Sequence, residues 1–144
     1  MIYQKEVNDC IIASVANYIS LKTGKDAKAI YDNCINLIVS DERILSTDDY
    51  LLWIDGHGMP LEVIKGLAAH YGISLTSIMS RDLLDQPCII VIPVDHLKEF
   101  KYNCHVIIWT GAEVHDPVQF KTLRTTKEDL IDLLPRAIFY IEQE

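Results

Sequence analysis

The stretch Asn103-Cys104-His105-Val106-Ile107-Ile108-Trp109-Thr110-Gly111-Ala112-Glu113-Val114-His115-Asp116-Pro117 reads as two β-strands joined by a tight turn. Its β-branched and aromatic run suits a pleated surface, and Gly111 supplies a turn position that tolerates positive φ. Pairing Thr110 with Glu113 sets the register: Trp109 faces Val114, Ile108 faces His115 and Ile107 faces Asp116. Side chains alternate along a strand, so His105 falls in the row of Ile107. Asp116, across from Ile107, then becomes the diagonal neighbour of His105, within reach of a side-chain hydrogen bond. The same register puts His115 in the other row, beside Ile108, and a slip of one residue would exchange the two. One hairpin thus encodes a carboxylate able to orient and charge an imidazole.

Strand signals continue on both sides of this hairpin. Short β-rich runs cover Ile73 to Ile78, Cys88 to Pro93, His105 to Thr110, Glu113 to Asp116 and Ala137 to Ile141. Before Gly72 the period is helical. Asn8 or Asp9 can cap a helix that begins at Cys10 and runs to Gly24, with an apolar face wide enough to be internal. A second helix follows Asp26 through Ile30, Cys34, Leu37 and Ile38. Ser46 or Thr47 caps a third through Leu51, Leu52 and Ile54. Pro60 suits the start of a fourth, striped by Leu61, Ile64, Leu67 and Ala68 and stopped by Gly72. Thr125-Thr126-Lys127-Glu128 has the form of a capping box for a short helix to Leu134. Helices first and strands afterwards predict an α+β fold, an amino-terminal helical half packed on a carboxy-terminal antiparallel sheet. With no repeat or linker, one domain spans residues 1–144. Trp53, Trp109 and Phe139-Tyr140 are expected in the core.

Composition narrows the function. The chain has 144 residues, 49% of them hydrophobic, and 13 basic against 21 acidic side chains give a net charge of -8. Phosphate-backbone binding needs clustered Lys and Arg, so a nucleic-acid role is disfavoured. The acidic pairs Asp41-Glu42, Asp48-Asp49 and Glu128-Asp129 are expected near helix starts, where they favour the dipole. The start has no signal-peptide form, and runs such as Ile89 to Pro93 are too short to span a bilayer. The expectation is a cytoplasmic protein with no membrane role. Cys10, Cys34, Cys88 and Cys104 lie far apart without a C-x-x-C pair, and His57, His70, His96, His105 and His115 match no ligand spacing. No metal and no cofactor are expected; His57 and His96 read as loop residues and His70 as a helix-end residue.

Cys10 is the remaining chemical signal. A thiol at a helix amino end feels the dipole and unpaired N–H groups, which favour the thiolate. Gln4, six positions earlier, offers an amide donor which, with the Cys10 backbone N–H, can hold a tetrahedral oxyanion. Nucleophile, base, orienting acid and oxyanion donor are the parts of an activated-thiol enzyme.

The order Gln…Cys on an amino-terminal helix, then His…Asp on later strands, resembles the papain-like cysteine peptidases. More narrowly it resembles the bacteriocin-processing (double-glycine leader) peptidase family and its free-standing relatives. The matching stretches are Gln4 to Cys10, Gly58-Met59-Pro60 with the helix to Gly72, Pro87 to Ile92, Cys104 to Ile107 and Asp116-Pro117. The resemblance implies a papain-like fold, a peptide or protein substrate, Cys10 as nucleophile, His105 as general base, Asp116 as orienting acid and Gln4 as oxyanion donor. The chain departs from that family at Ile11, where glycine usually follows the nucleophile, and a β-branched residue there is expected to narrow the substrate groove. The His105-to-Asp116 connection is also shorter than in many relatives. A catalytically silent peptide-binding module and a thiol-dependent acyl or amide transferase use the same residues and are the competing expectations.

Overall fold

The structure, a computed structural model, describes residues 10–54, 62–79, 87–93, 104–110, 113–116, 121–124 and 138–142. Helix α1 (Cys10–Thr23) is buried at every side chain from Ile11 to Ile19. A helix apolar all round belongs in the interior, and Ser14 and Asn17 are the polar residues inside this buried run. The helix stops at Gly24, whose φ of 76° suits glycine and whose N–H donates to the Ser20 carbonyl at 2.8 Å. Helix α2 (Ala27–Ser40) is capped by Asp26, whose carboxylate accepts the Ala29 N–H at 3.0 Å. Asp26→Ala is expected to cost about 0.5–2 kcal/mol. The loss would appear as a lower urea midpoint at unchanged slope, and an unmoved midpoint would mean that the cap contributes nothing in solution.

Helix α3 (Thr47–Ile54) takes its cap from Ser46, whose hydroxyl accepts the Asp49 N–H at 3.2 Å. Asp48 and Asp49 sit in its first turn as expected. Asp41 does not open a helix. It closes α2, its own N–H donating to the Leu37 carbonyl at 2.9 Å. A carboxylate opposes the dipole there, and the Arg43 guanidinium, bonded to it at 2.9 Å, holds the carboxyl below its ordinary range. Helix α4 (Glu62–His70) buries Val63, Ile64, Leu67 and Ala68 and ends at Gly72, φ 78°.

The strands are β1 (Leu75–Met79), β2 (Cys88–Pro93), β3 (Cys104–Trp109), β4 (Glu113–Asp116), β5 (Lys121–Arg124) and β6 (Ile138–Glu142). They form one sheet in the order β1-β6-β2-β3-β4-β5, each neighbouring pair antiparallel. The fold is α+β, helices amino-terminal and strands carboxy-terminal. β5 answers to no strand signal in the sequence: Lys121-Thr122-Leu123-Arg124 is short, carries a single aliphatic residue and is charged at both ends, as suits a sheet edge.

Two buried rows line the central strands. Val106 and Ile108 of β3, Ile89 and Val91 of β2, Tyr140 of β6 and Leu75 of β1 join the core cluster built around α1, α2 and α4. Cys88, Ile90, Ile107 and Trp109 fill the opposite row and are buried as well. Burial on both faces explains why these strands read as continuous apolar runs. Trp109 and Tyr140 take their expected core places; Trp53 and Phe139 are described in backbone only, and Leu61, the Gly111-Ala112 turn and the 125–134 helix lie outside the described residues. Among the described residues no helix is long and apolar enough to cross a membrane.

Candidate active site

The 104–116 hairpin has the register read from its sequence. Ile108 pairs with His115 and Trp109 with Val114. Thr110 closes the ladder, its N–H donating to the Glu113 carbonyl at 2.9 Å while its Oγ1 accepts the Glu113 N–H at 3.1 Å. The β3–β4 pairs end at Ile108–His115, one step short of the Ile107–Asp116 pair expected from the sequence. On their other flanks His105 pairs with Ile92 and Asp116 with Lys121. Cys10 is the first residue of α1. These three residues are described as backbone positions, and Gln4 lies outside the described residues.

Two side-chain anchors define how α1 crosses the sheet. Near its start, the Ser14 hydroxyl donates to the Val106 carbonyl at 2.9 Å, a buried bond between residues 92 apart in sequence. Near its end, Lys22 pairs with Glu142 of β6 at 2.8 Å. Tyr140 is level with Ile89, and Ile89 with Ile108, so Glu142 lies further along the sheet than the Ile108 rung. The helix therefore runs obliquely from the beginning of β3 towards β6. Between the anchors sits Tyr18, whose phenol is held up at about 12 by burial first and by the Glu142 carboxylate second.

Extending α1 backwards from Ser14 by one turn, roughly 6 Å at about 1.5 Å per residue, moves away from the Ile108–His115 rung. Cys10 thereby lies on the side of Ser14 towards the beginning of β3, while strand alternation puts the His105 position in the row of Ile107 and Trp109, opposite the row of Val106 and Ile108 that packs on α1. His115, paired with Ile108, is the neighbour of Asp116 and lies level with a residue three positions beyond His105 on β3. It is half-buried and opposite Ile108, a member of the row that packs on α1. Burial pushes its imidazole below the ordinary range against the pull of Glu113.

Other thiols with described side chains are unlike a nucleophile. Cys34 and Cys88 are free and buried. Burial pushes the Cys34 thiol up to about 12 and raises that of Cys88 too, which suppresses the reactive thiolate. Ile11 does not line a groove: it is 3% exposed and belongs to the core cluster. The apolar helix draws it inward, so the expected narrowing of the substrate path is not its effect. His70 ends α4 as expected. Among the described residues no three His, Cys, Asp or Glu side chains converge as metal ligands. Ser14 was not singled out by its sequence context, although a polar residue one turn after Cys10 on an otherwise apolar helix is a visible signal. No protein-family model matches the sequence, and no match is found among curated proteins.

Proposed function

We propose that the chain is a papain-like cysteine peptidase, an amide hydrolase that cleaves a peptide or protein through a Cys10 acyl-enzyme. The observation that carries this reading is the Ser14–Val106 hydrogen bond, because it joins the turn that begins with Cys10 to the residue next to His105. His105 takes the Cys10 proton, and the thiolate attacks the substrate carbonyl carbon. Gln4 and the Cys10 N–H receive the oxyanion. The C–N bond breaks as imidazolium His105 protonates the leaving amine, Asp116 orienting the ring and favouring its charge. Water, deprotonated by His105, then attacks the thioester and restores the thiol. The chemistry needs no cofactor. A net charge of -8 favours a neutral or basic substrate over an acidic one.

Selective alkylation tests the reading. With iodoacetamide in substoichiometric dose near pH 7, Cys10 is expected to react at least about tenfold faster than in the unfolded chain. Cys34 and Cys88 are expected to be protected until unfolding, each thiol being followed by peptide mass spectrometry. A Cys10 rate equal to that in denaturant would remove the activated nucleophile and the peptidase with it.

A further inference from the structure

We propose that β1 is an association edge through which two copies of this chain join their sheets, β1 pairing antiparallel with β1 of the second copy about a two-fold axis at Ser77. The two ends of the sheet are built differently. β1 and β5 are the outermost strands, and β1 pairs with β6 alone among the described strands. An outermost strand presents unpaired N–H and C=O groups to any strand that comes alongside, and folds blunt such an edge with short strands, charged side chains, proline or a bulge. β5 is blunted, with four residues and Lys121 and Arg124 at its ends. β1, Leu75-Thr76-Ser77-Ile78-Met79, carries no charge and no proline. Its five residues pair with β6 rung for rung, without a bulge.

The centre of this edge is open. Leu75 is 6% exposed and belongs to the core cluster, whereas Ser77, next in the same row, is exposed. The helical layer therefore covers the start of β1 and stops short of Ser77. Charge favours a second copy at this place. A net charge of -8 makes two copies repel one another, so they meet closely only where charge is absent. β1 holds none of the 21 acidic or 13 basic side chains, and Glu142, on the Leu75 rung, is matched by Lys22 at 2.8 Å. The strand is also self-complementary. A two-fold axis at its central residue sets Leu75 level with Met79 of the other copy, Thr76 with Ile78 and Ser77 with Ser77. Apolar residues meet apolar, β-branched meet β-branched, and no like charges face each other across the seam. The pairing needs no catalytic role for Cys10.

Sedimentation velocity tests it from about 1 μM to about 1 mM, the range in which small interfaces associate. The wild-type chain is expected to pass from monomer to dimer across the series. Ser77→Lys and Ser77→Glu each put like charges opposite one another at the axis and are expected to weaken dimerisation at least about tenfold. An equimolar mixture of the two variants, each shown to be folded by circular dichroism, puts opposite charges there and is expected to dimerise again. Hydrogen exchange on the wild-type protein reads the same edge without substitution: amides of 75–79 slow as concentration rises, and those of 121–124 do not. A wild-type chain still monomeric at about 1 mM would leave this edge to some other strand and overturn the proposal. So would a dimer indifferent to both substitutions, a mixture that stays monomeric, or a dimer whose β1 amides exchange as fast as in the monomer.

Discussion

His105→Ala is expected to lower peptide turnover by about 10²–10⁴-fold, the contribution of a positioned general base, while His115→Ala changes it by less than about threefold at the same pH. Both imidazoles belong to one hairpin, and strand alternation separates them. Its anchors at Val106 and Glu142 carry the helix away from the Ile108–His115 rung as it goes forward. Going backward, the helix therefore leads towards the beginning of β3, the strand that carries His105. By alternation His115 shares the row of Ile108, which packs on α1, and His105 belongs to the opposite row, so the two variants decide which imidazole serves Cys10. Burial depresses the His115 imidazole below the ordinary histidine range against the pull of Glu113. Removing it should leave the acidic limb of the pH–rate profile in place. The comparison is made on a mixed-sequence fluorogenic peptide set, with Cys10→Ala as the zero of activity. Loss of turnover in His115→Ala with survival in His105→Ala would give the base role to the other row and refute the His105 assignment.

The hairpin was legible because two local signals agree: period-two alternation and a turn closed by Thr110 and Glu113. The helix ends were legible for the same reason, Asp26, Gly24 and Gly72 each acting on atoms within a few residues. What lay beyond the sequence is non-local. Both rows of β3 are apolar, Val106 and Ile108 on one side and Ile107 and Trp109 on the other. No pattern in them tells which row meets α1. The insertion of β6 between β1 and β2 depends on pairings across most of the sheet half. Edge strand β5 has too little apolar character to announce itself. Ile11 looked like a groove residue because its neighbour Cys10 is the proposed nucleophile, yet on a helix adjacent residues point about 100° apart. Ser14 escaped notice because its partner, the Val106 carbonyl, lies 92 residues away in the sequence.

Trp109→Ala is expected to destabilise the fold by about 3–5 kcal/mol, the usual loss for a buried large aromatic residue. The side chain is 1% exposed and stands between Cys88 and Val114 on the sheet face away from α1. Deleting the indole opens a cavity between rigid strands that cannot close over it. Trp109→Phe should behave differently. The indole N–H is buried with no hydrogen-bond partner among the described residues, a state that costs about 1–3 kcal/mol. Phenylalanine removes that liability while giving up part of the buried volume, so the two terms offset to within about 1 kcal/mol. Urea unfolding at constant slope reads both values. An alanine loss below about 1.5 kcal/mol would mean that this face of the sheet is open to water in solution. The same pair of variants also separates stability from chemistry. Trp109 lies in the row opposite Val106 and Ile108, so Trp109→Phe leaves the α1 contact intact and should alkylate Cys10 at the wild-type rate. Ser14→Ala, by contrast, alters that contact directly. A protein in which the phenylalanine variant is stable but slow to alkylate would show that the Cys10 end of α1 is held from the far face of the sheet, and not through Ser14.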